Sequence, residues 1–285
     1  MIVVAGEALI DLVPDGSPGL APLLPRRGGG PYNTAVALGR LGSPAAFCSR
    51  VSTDGFGEAL LDGLRSAGVD VSLVQRGPEP TTLAVASVGA DGSAAYGFYA
   101  AGTADRLFAL PPQLPPAARA LCVGTCSLVL EPGASAYEAL LRRESRRGLF
   151  TLLDPNVRPG LVPDADAYRA RFRSWLPHVT LLKLSEEDAE WLGGGPEEWH
   201  GPAAVVMTRG ARGISVHTRR GDVWAVPAEE VDAVDTIGAG DAVNAALLHR
   251  LGALSAAGLL ALDGRAWTDV LSFAARTAAA ALRRD

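Results

Sequence analysis

The densest concentration of chemistry in the chain is Asp235-Thr236-Ile237-Gly238-Ala239-Gly240-Asp241, which runs straight into Ala242-Val243-Asn244-Ala245-Ala246-Leu247-Leu248. Small residues let backbone amides gather in one concavity, and a nearly all-apolar helix behind them would be buried with its positive dipole end aimed there. Such a concavity stabilises an anion. Asp241 stands at the helix entrance, where a carboxylate beside free amides is expected to stay ionised and to accept a proton from a hydroxyl held against it. Two rival readings use the same residues. Asp241 could be a plain helix N-cap, with Gly238 and Gly240 shaping a tight turn. Alternatively, Gly238-x-Gly240-x-x-Val243 could be a dinucleotide fingerprint, but that motif follows a first strand and wants an acid about twenty residues on. Asp263 has that spacing, yet the stretch before it reads as helix.

Other phosphate and nucleophile chemistries lack their residues. Lys183 is the one lysine among 26 basic residues and follows Leu182, so no Gly-x-x-x-x-Gly-Lys-Ser/Thr loop exists. The protein-kinase combination of glycine hairpin, strand lysine and His-Arg-Asp loop is missing as well. Gly-x-Ser-x-Gly does not occur, and His178, His200, His217 and His249 are scattered. Three cysteines, Cys48, Cys122 and Cys126, are too few for a disulfide framework or a four-ligand zinc site, which favours a reducing cytoplasm.

The elements that must position these residues follow from periodicity and punctuation. Gly28-Gly29-Gly30-Pro31 opens a helical pattern over 33–41 closed by Gly42, and 54–67 repeats that logic up to Gly68. Segment 83–99 reads as a hairpin turning at Ala90-Asp91-Gly92, after which prolines 111, 112, 115 and 116 make a stiff connection. Strands are then expected at 120–123, 149–154, 179–183 and 203–207, alternating with helices at 136–147, 165–176 and 186–192. A second hairpin, 213–218 with 223–226, precedes helices at 241–251, 255–262 and 267–283. This alternation predicts an α/β fold with a mostly parallel central sheet covered on both faces. Two β-rich pieces, 12–27 and 83–99, could pair as a small β-sheet lid.

At 285 residues, 48% hydrophobic and 20% charged, the chain suits one large soluble α/β domain spanning 1–285. A formal charge of −5, with arginines spread along the chain, offers no nucleic-acid footprint. The start carries no basic, apolar leader pattern, and no run of eighteen apolar residues occurs. Neither a membrane nor a nucleic acid is an expected partner.

Six motifs in order carry a family resemblance. They are Gly6-Glu7-x-x-Ile10-Asp11, Gly28-Gly29-Gly30-Pro31-Tyr32-Asn33, Asp54-x-Phe56-Gly57, Asp154-Pro155-Asn156-x-Arg158, Thr208-Arg209-Gly210-x-x-Gly213 and Asp235-Thr236-x-Gly238-Ala239-Gly240-Asp241. Over roughly residues 3–282 the sequence resembles the ribokinase-like, or pfkB, carbohydrate kinases. The resemblance implies ATP-dependent phosphorylation of a sugar, with Asp241 as base and the amides of Gly238, Ala239 and Gly240 as anion hole. It places Asp11, Gly29, Gly30 and Asn33 on the sugar, and Arg158 on the sugar or the transferring phosphoryl group. Tyr96 and Phe98 resemble lid aromatics, with alternation sending Tyr99 to the other face.

On the nucleotide side the resemblance implies Lys183, Ser185, Thr208, Gly210 and Gly213. Ser185 and Asp188 replace the ends of an Asn-x-x-Glu motif that helps organise Mg2+, so Asp188 is expected in the metal shell through water, although Ser185-x-x-Asp188 is also close to a capping box. Relatives commonly continue past Ala278–Leu282 with a loop that helps bind a monovalent cation, so potassium (K+) activation is left in doubt. Asp-Pro-Asn-x-Arg and the lid aromatics favour fructokinase-like members. Ribose, a 2-keto-3-deoxy sugar acid and a nucleoside remain alternative substrates, and a catalytically idle sugar-binding regulator is the alternative of another class. Unpaired edges of the small sheet make a homodimer through the lid an expectation.

Overall fold

The computed structural model describes residues 1–15, 21–88, 94–229 and 238–283. Its first strand, β1 (Ile2–Ala5), shows how the architecture arises from sequence: Val4 faces one hydrophobic core and its neighbour Val3 faces another, so the strand is apolar on both sides. A strand buried on both faces belongs in the middle of a covered sheet. Here β1 is flanked by β4 (Ala45–Ser52) and β8 (Ala120–Gly124), both parallel to it. The row continues beyond β4 with β5 (Val74–Gly77) and beyond β8 with β9 (Phe150–Asp154), β10 (Leu181–Ser185) and β11 (Ala204–Thr208), all parallel. An antiparallel hairpin, β12 (Ile214–Thr218) and β13 (Val223–Val226), closes the far edge, giving nine strands among the described residues.

Helices cover both faces. Side chains from α1 (Gly30–Arg40), α2 (Gly55–Ser66), α6 (Ala239–Leu251), α7 (Ala256–Leu260) and α8 (Gly264–Leu282) enter one core, where Trp267 is fully buried. Those from α3 (Gly133–Arg146), α4 (Ala165–Trp175) and α5 (Glu186–Leu192) enter the other, around Tyr137, Phe172 and Trp175. The expected α/β class, with a mostly parallel sheet flanked by helices, is the observed one.

A separate four-stranded sheet has the order β3 (Leu23–Gly28), β2 (Leu9–Pro14), β6 (Leu83–Val88), β7 (Ala94–Tyr99). Its two outer pairings are antiparallel and its inner one, β2 with β6, is parallel. The small sheet thus joins the two expected pieces, but β2 starts at Leu9 and β3 runs to Gly28, wider than 12–27. The turn expected at 90–92 lies outside the described residues.

Several boundaries differ for local reasons. Helix α3 starts at Gly133 instead of 136, and α8 starts at Gly264 instead of 267 because the Asp263 side chain accepts from Ala266 N and caps it. That cap also disposes of Asp263 as a ribose-binding acid. Helix α7 is five residues, not 255–262. Strands β4 and β5 were not expected from the sequence. Ala45-Ala46-Phe47-Cys48-Ser49-Arg50 has weak intrinsic strand preference, and its pairing with β1 supplies what local pattern does not.

Candidate active site

The site forms where parallel strands end and α6 begins, the place ligands of open α/β sheets favour. Gly238 starts α6 in a left-handed conformation, φ 83°, which glycine adopts without strain. Ala242 N donates to Gly238 O at 2.9 Å, so the amides of Ala239, Gly240 and Asp241, in the first turn, have no partner within the helix. This helix start is compatible with the expected anion hole, while Asp235, Thr236 and Ile237 lie outside the described residues.

Asp241 is the third residue of α6 and makes no cap hydrogen bond, which removes the N-cap reading. It is 8% exposed, and one carboxylate oxygen accepts from Asn33 Nδ2 at 2.9 Å. Burial pushes its pKa up to about 7, an effect opposed by the Asn33 hydrogen bond, reinforced by the Asp154 charge and opposed again by Lys183. Against the expectation of a carboxylate held fully ionised, desolvation outweighs the Asn33 hydrogen bond and the Lys183 charge. A carboxyl group poised near neutrality suits proton acceptance.

Asp241 opens into a cavity of about 320 Å3. Asp11, Gly29, Gly30, Asn33, Tyr96, Phe98 and Arg158, the residues expected on the sugar, all line it together with Gly238 and Gly240. Gly29 has φ 101°, and a β-carbon there would sit 2.8 Å from Glu7 O, so glycine alone lets α1 start this close to the end of β1. Tyr96 and Phe98 come from β7 and close the side formed by the small sheet, whereas Tyr99 is 67% exposed and points elsewhere. The exposed Arg158 donates to Asn156 Oδ1 at 2.7 Å.

Lys183 also lines this cavity. Its ammonium lies 2.9 Å from Asp154 Oδ2, which also accepts from Asn244 Nδ2 at 2.6 Å. Burial alone would pull the lysine pKa down; the Asp154 carboxylate outweighs it and raises it. Any side chain at Gly240 would meet this ammonium, at 3.0 Å from a β-carbon. Glycine at 240 therefore lets a cation approach the anion hole.

Ser185 and Asp188 take the capping-box alternative. Asp188 N donates to Ser185 Oγ at 3.0 Å and Ser185 N to Asp188 Oδ2 at 3.1 Å, while the other Asp188 oxygen accepts from Val157 N at 2.7 Å. Neither residue lines the cavities described here. Both residues are thus engaged in the capping box, the carboxylate, shorter than glutamate, folding back onto its own helix end.

A second cavity, of about 400 Å3, carries Thr208, Gly210 and Gly213 on one wall and Ala275, Ala278 and Ala279 of α8 on the other. Its walls are mainly small and apolar, as a flat heterocycle requires. Gly240 belongs to both cavities, so the two chambers meet at the anion hole.

Five further lining residues, Glu7, Leu9, Thr125, Cys126 and Asn156, have no assigned role in the sequence analysis. Glu7 and Asn156 fall within the quoted motifs, which was the available signal. Thr125 carries none.

A family model described as pfkB family carbohydrate kinase matches residues 1–285. The chain belongs to the pfkB family of carbohydrate kinases. This kinase is 40% identical over 262 residues to the fructokinase of Rhizobium leguminosarum bv. trifolii, an alignment covering 88% of this chain and 79% of that protein. Among solved structures, the fructokinase of Xylella fastidiosa with bound ATP superposes with a TM-score of 0.88 at 28% identity, covering 100% of this kinase and 92% of that chain. The Vibrio cholerae O395 fructokinase in its fructose, ADP and calcium ion bound form gives 0.84 at 27% identity, covering 100% and 93%. The kinase is accordingly a sugar phosphotransferase. No helix among its described residues is long and apolar enough to cross a membrane.

Proposed function

We propose that this kinase transfers the γ-phosphoryl group of ATP to a primary hydroxyl of fructose. The observation that carries the reading is the meeting of a polar, hexose-sized chamber holding Asp241 with a mainly apolar chamber at Gly240, where three helix amides have no partner within the helix. The relatives named as fructokinases support the choice of sugar, and the ATP-bound relative supports the nucleotide.

In this reading fructose occupies the chamber lined by Asp11, Asn33 and Arg158, with the small sheet acting as a lid whose Tyr96 and Phe98 exclude water. Asp241 takes the proton as the hydroxyl oxygen attacks the γ-phosphorus and the bond to the ADP oxygen breaks. Charge on the transferred group falls on the amides of Ala239, Gly240 and Asp241, so positioning and electrostatics supply most of the acceleration. Adenine lies against Ala275, Ala278 and Ala279. Among the described residues no group of three His, Cys, Asp or Glu could hold a metal. Mg2+ would instead arrive on the nucleotide, held by phosphate oxygens and water, and neutralise phosphate charge there. The open edges of β3 and β7, with Leu23, Leu24 and Tyr99 exposed, are the surface on which a homodimer would form.

The test is ADP production from ATP across a panel of fructose, ribose, 2-keto-3-deoxy sugar acids and nucleosides. Fructose is expected to give the highest kcat/KM; a preference for another sugar would overturn the substrate, and no sugar-dependent ADP would overturn catalysis in favour of a regulator.

A further inference from the structure

Among the described residues, two that are not glycine have a left-handed backbone: Thr125 (φ 61°) and Asn156 (φ 37°). Each follows the C-terminal end of a parallel strand, β8 or β9, and each lines the acceptor cavity. Asparagine tolerates this conformation. For a β-branched threonine it is an outlier that persists only where the surroundings impose it.

What imposes it is Glu7, a buried carboxylate at the end of β1, 3% exposed. One of its oxygens accepts from the Thr125 hydroxyl and the other from both the hydroxyl and the backbone N–H of Ser127, the latter at 3.0 Å. Ser127 Oγ in turn accepts from Glu7 N at 2.6 Å. The turn after β8 is thereby fastened at two points to the turn after β1. The effect is visible above Gly30, where a β-carbon would meet Thr125 Cγ2 at 2.7 Å, Asp241 Oδ1 at 3.1 Å and Asn156 Nδ2 at 3.5 Å. A methyl wall, a proton acceptor and an amide donor thus converge over one bare α-carbon. Any side chain at position 30 would strike this wall, so glycine there keeps the three groups together at the edge of the cavity.

We propose that Glu7 is a positioning residue that holds Thr125 in its left-handed conformation, so that the threonine methyl and Asn156 confine the reacting hydroxymethyl group against Asp241. The inference rests on Asp241 acting as the base and is independent of which sugar is preferred. Without the wall, an acceptor in the chamber loses its alignment with the phosphoryl group, and water can take its place, converting ATP to ADP and inorganic phosphate.

The experiment compares wild type with Thr125→Gly and Glu7→Gln, using the sugar that wild type turns over fastest. It reads sugar and ATP kinetics, ADP formed per sugar phosphate, and Tm. Wild-type turnover is measured first and tests the kinase reading by itself. Glycine adopts the conformation without strain, which offsets part of the cost of losing the Thr125 hydrogen bond to Glu7, so Thr125→Gly is expected to stay folded with a modestly lower Tm. Its kcat/KM for the sugar should fall by about tenfold or more, with the ATP KM within about twofold and more than one ADP formed per sugar phosphate. Glu7→Gln should show the same kinetic pattern. A merely structural role would also lower Tm but leave the ADP to sugar-phosphate ratio at one. The proposal is overturned if Thr125→Gly keeps near-wild-type sugar kcat/KM with that ratio at one, or if ATP KM worsens as much as sugar KM. Should Glu7→Gln not fold, Thr125→Gly and Thr125→Ala decide the matter by the same readouts.

Discussion

A base that takes a proton from an alcohol needs a proton affinity near that of its surroundings and a partner to keep it aimed; Asp241 has both, through burial and through Asn33. With Asp241 as the proposed base, the unprotonated form is the active one, so kcat/KM should rise with pH along an acid limb centred at about 7 in the free enzyme, measurable from initial rates. The same group works against stability. Its folded pKa is raised from 3.8, so the folded state keeps a proton that the unfolded chain has released, and this group's contribution falls as pH rises from 3.8 to about 7. Asp241→Asn should therefore lower kcat roughly a hundredfold to ten-thousandfold, yet raise Tm, more at pH 8 than at pH 5, as calorimetry would show. Lys183 has the opposite character. Replacing it by Met would leave Asp154 charged and buried, at a cost of about 3–5 kcal/mol, readable in denaturant unfolding.

At the level of elements, what was legible in the sequence depended on how local the cause was. The helices that begin after Gly29 and Gly238 could be read, though with starts at 33 and 241 instead of Gly30 and Ala239, because glycine spacing dictates backbone shape within a few residues, and both glycines line the same cavity. The Asp154, Lys183 and Asn244 cluster could not, because its members come from β9, β10 and α6 and meet only after the sheet is assembled. Strand β4 was missed for a related reason: its identity comes from its neighbours. Ser185 and Asp188 carried two meanings, of which the short-range hydrogen bonding of a capping box is the one seen in the structure. Ser185→Ala is accordingly expected to cost about 1 kcal/mol of stability. Its ATP KM should stay close to wild type, since the residue lines neither chamber, and coupled-assay kinetics would check this.

Across the whole molecule, two chambers built from different parts of the chain share one glycine. The acceptor side draws on both sheets, while the other side draws on the β11–β12 edge and on α8. Bulk added to the α8 wall should consequently act on one substrate only. Ala278→Phe is expected to raise the ATP KM by roughly tenfold or more by filling that chamber, with the fructose KM near wild type in steady-state kinetics.

Because the chambers adjoin at Gly240, a single compound could span them. A hexose tethered through a short oligophosphate to adenosine would bring its second head group to its pocket at the high local concentration set by the tether. Such a hybrid should inhibit far more tightly than either half alone, and both substrates should compete with it.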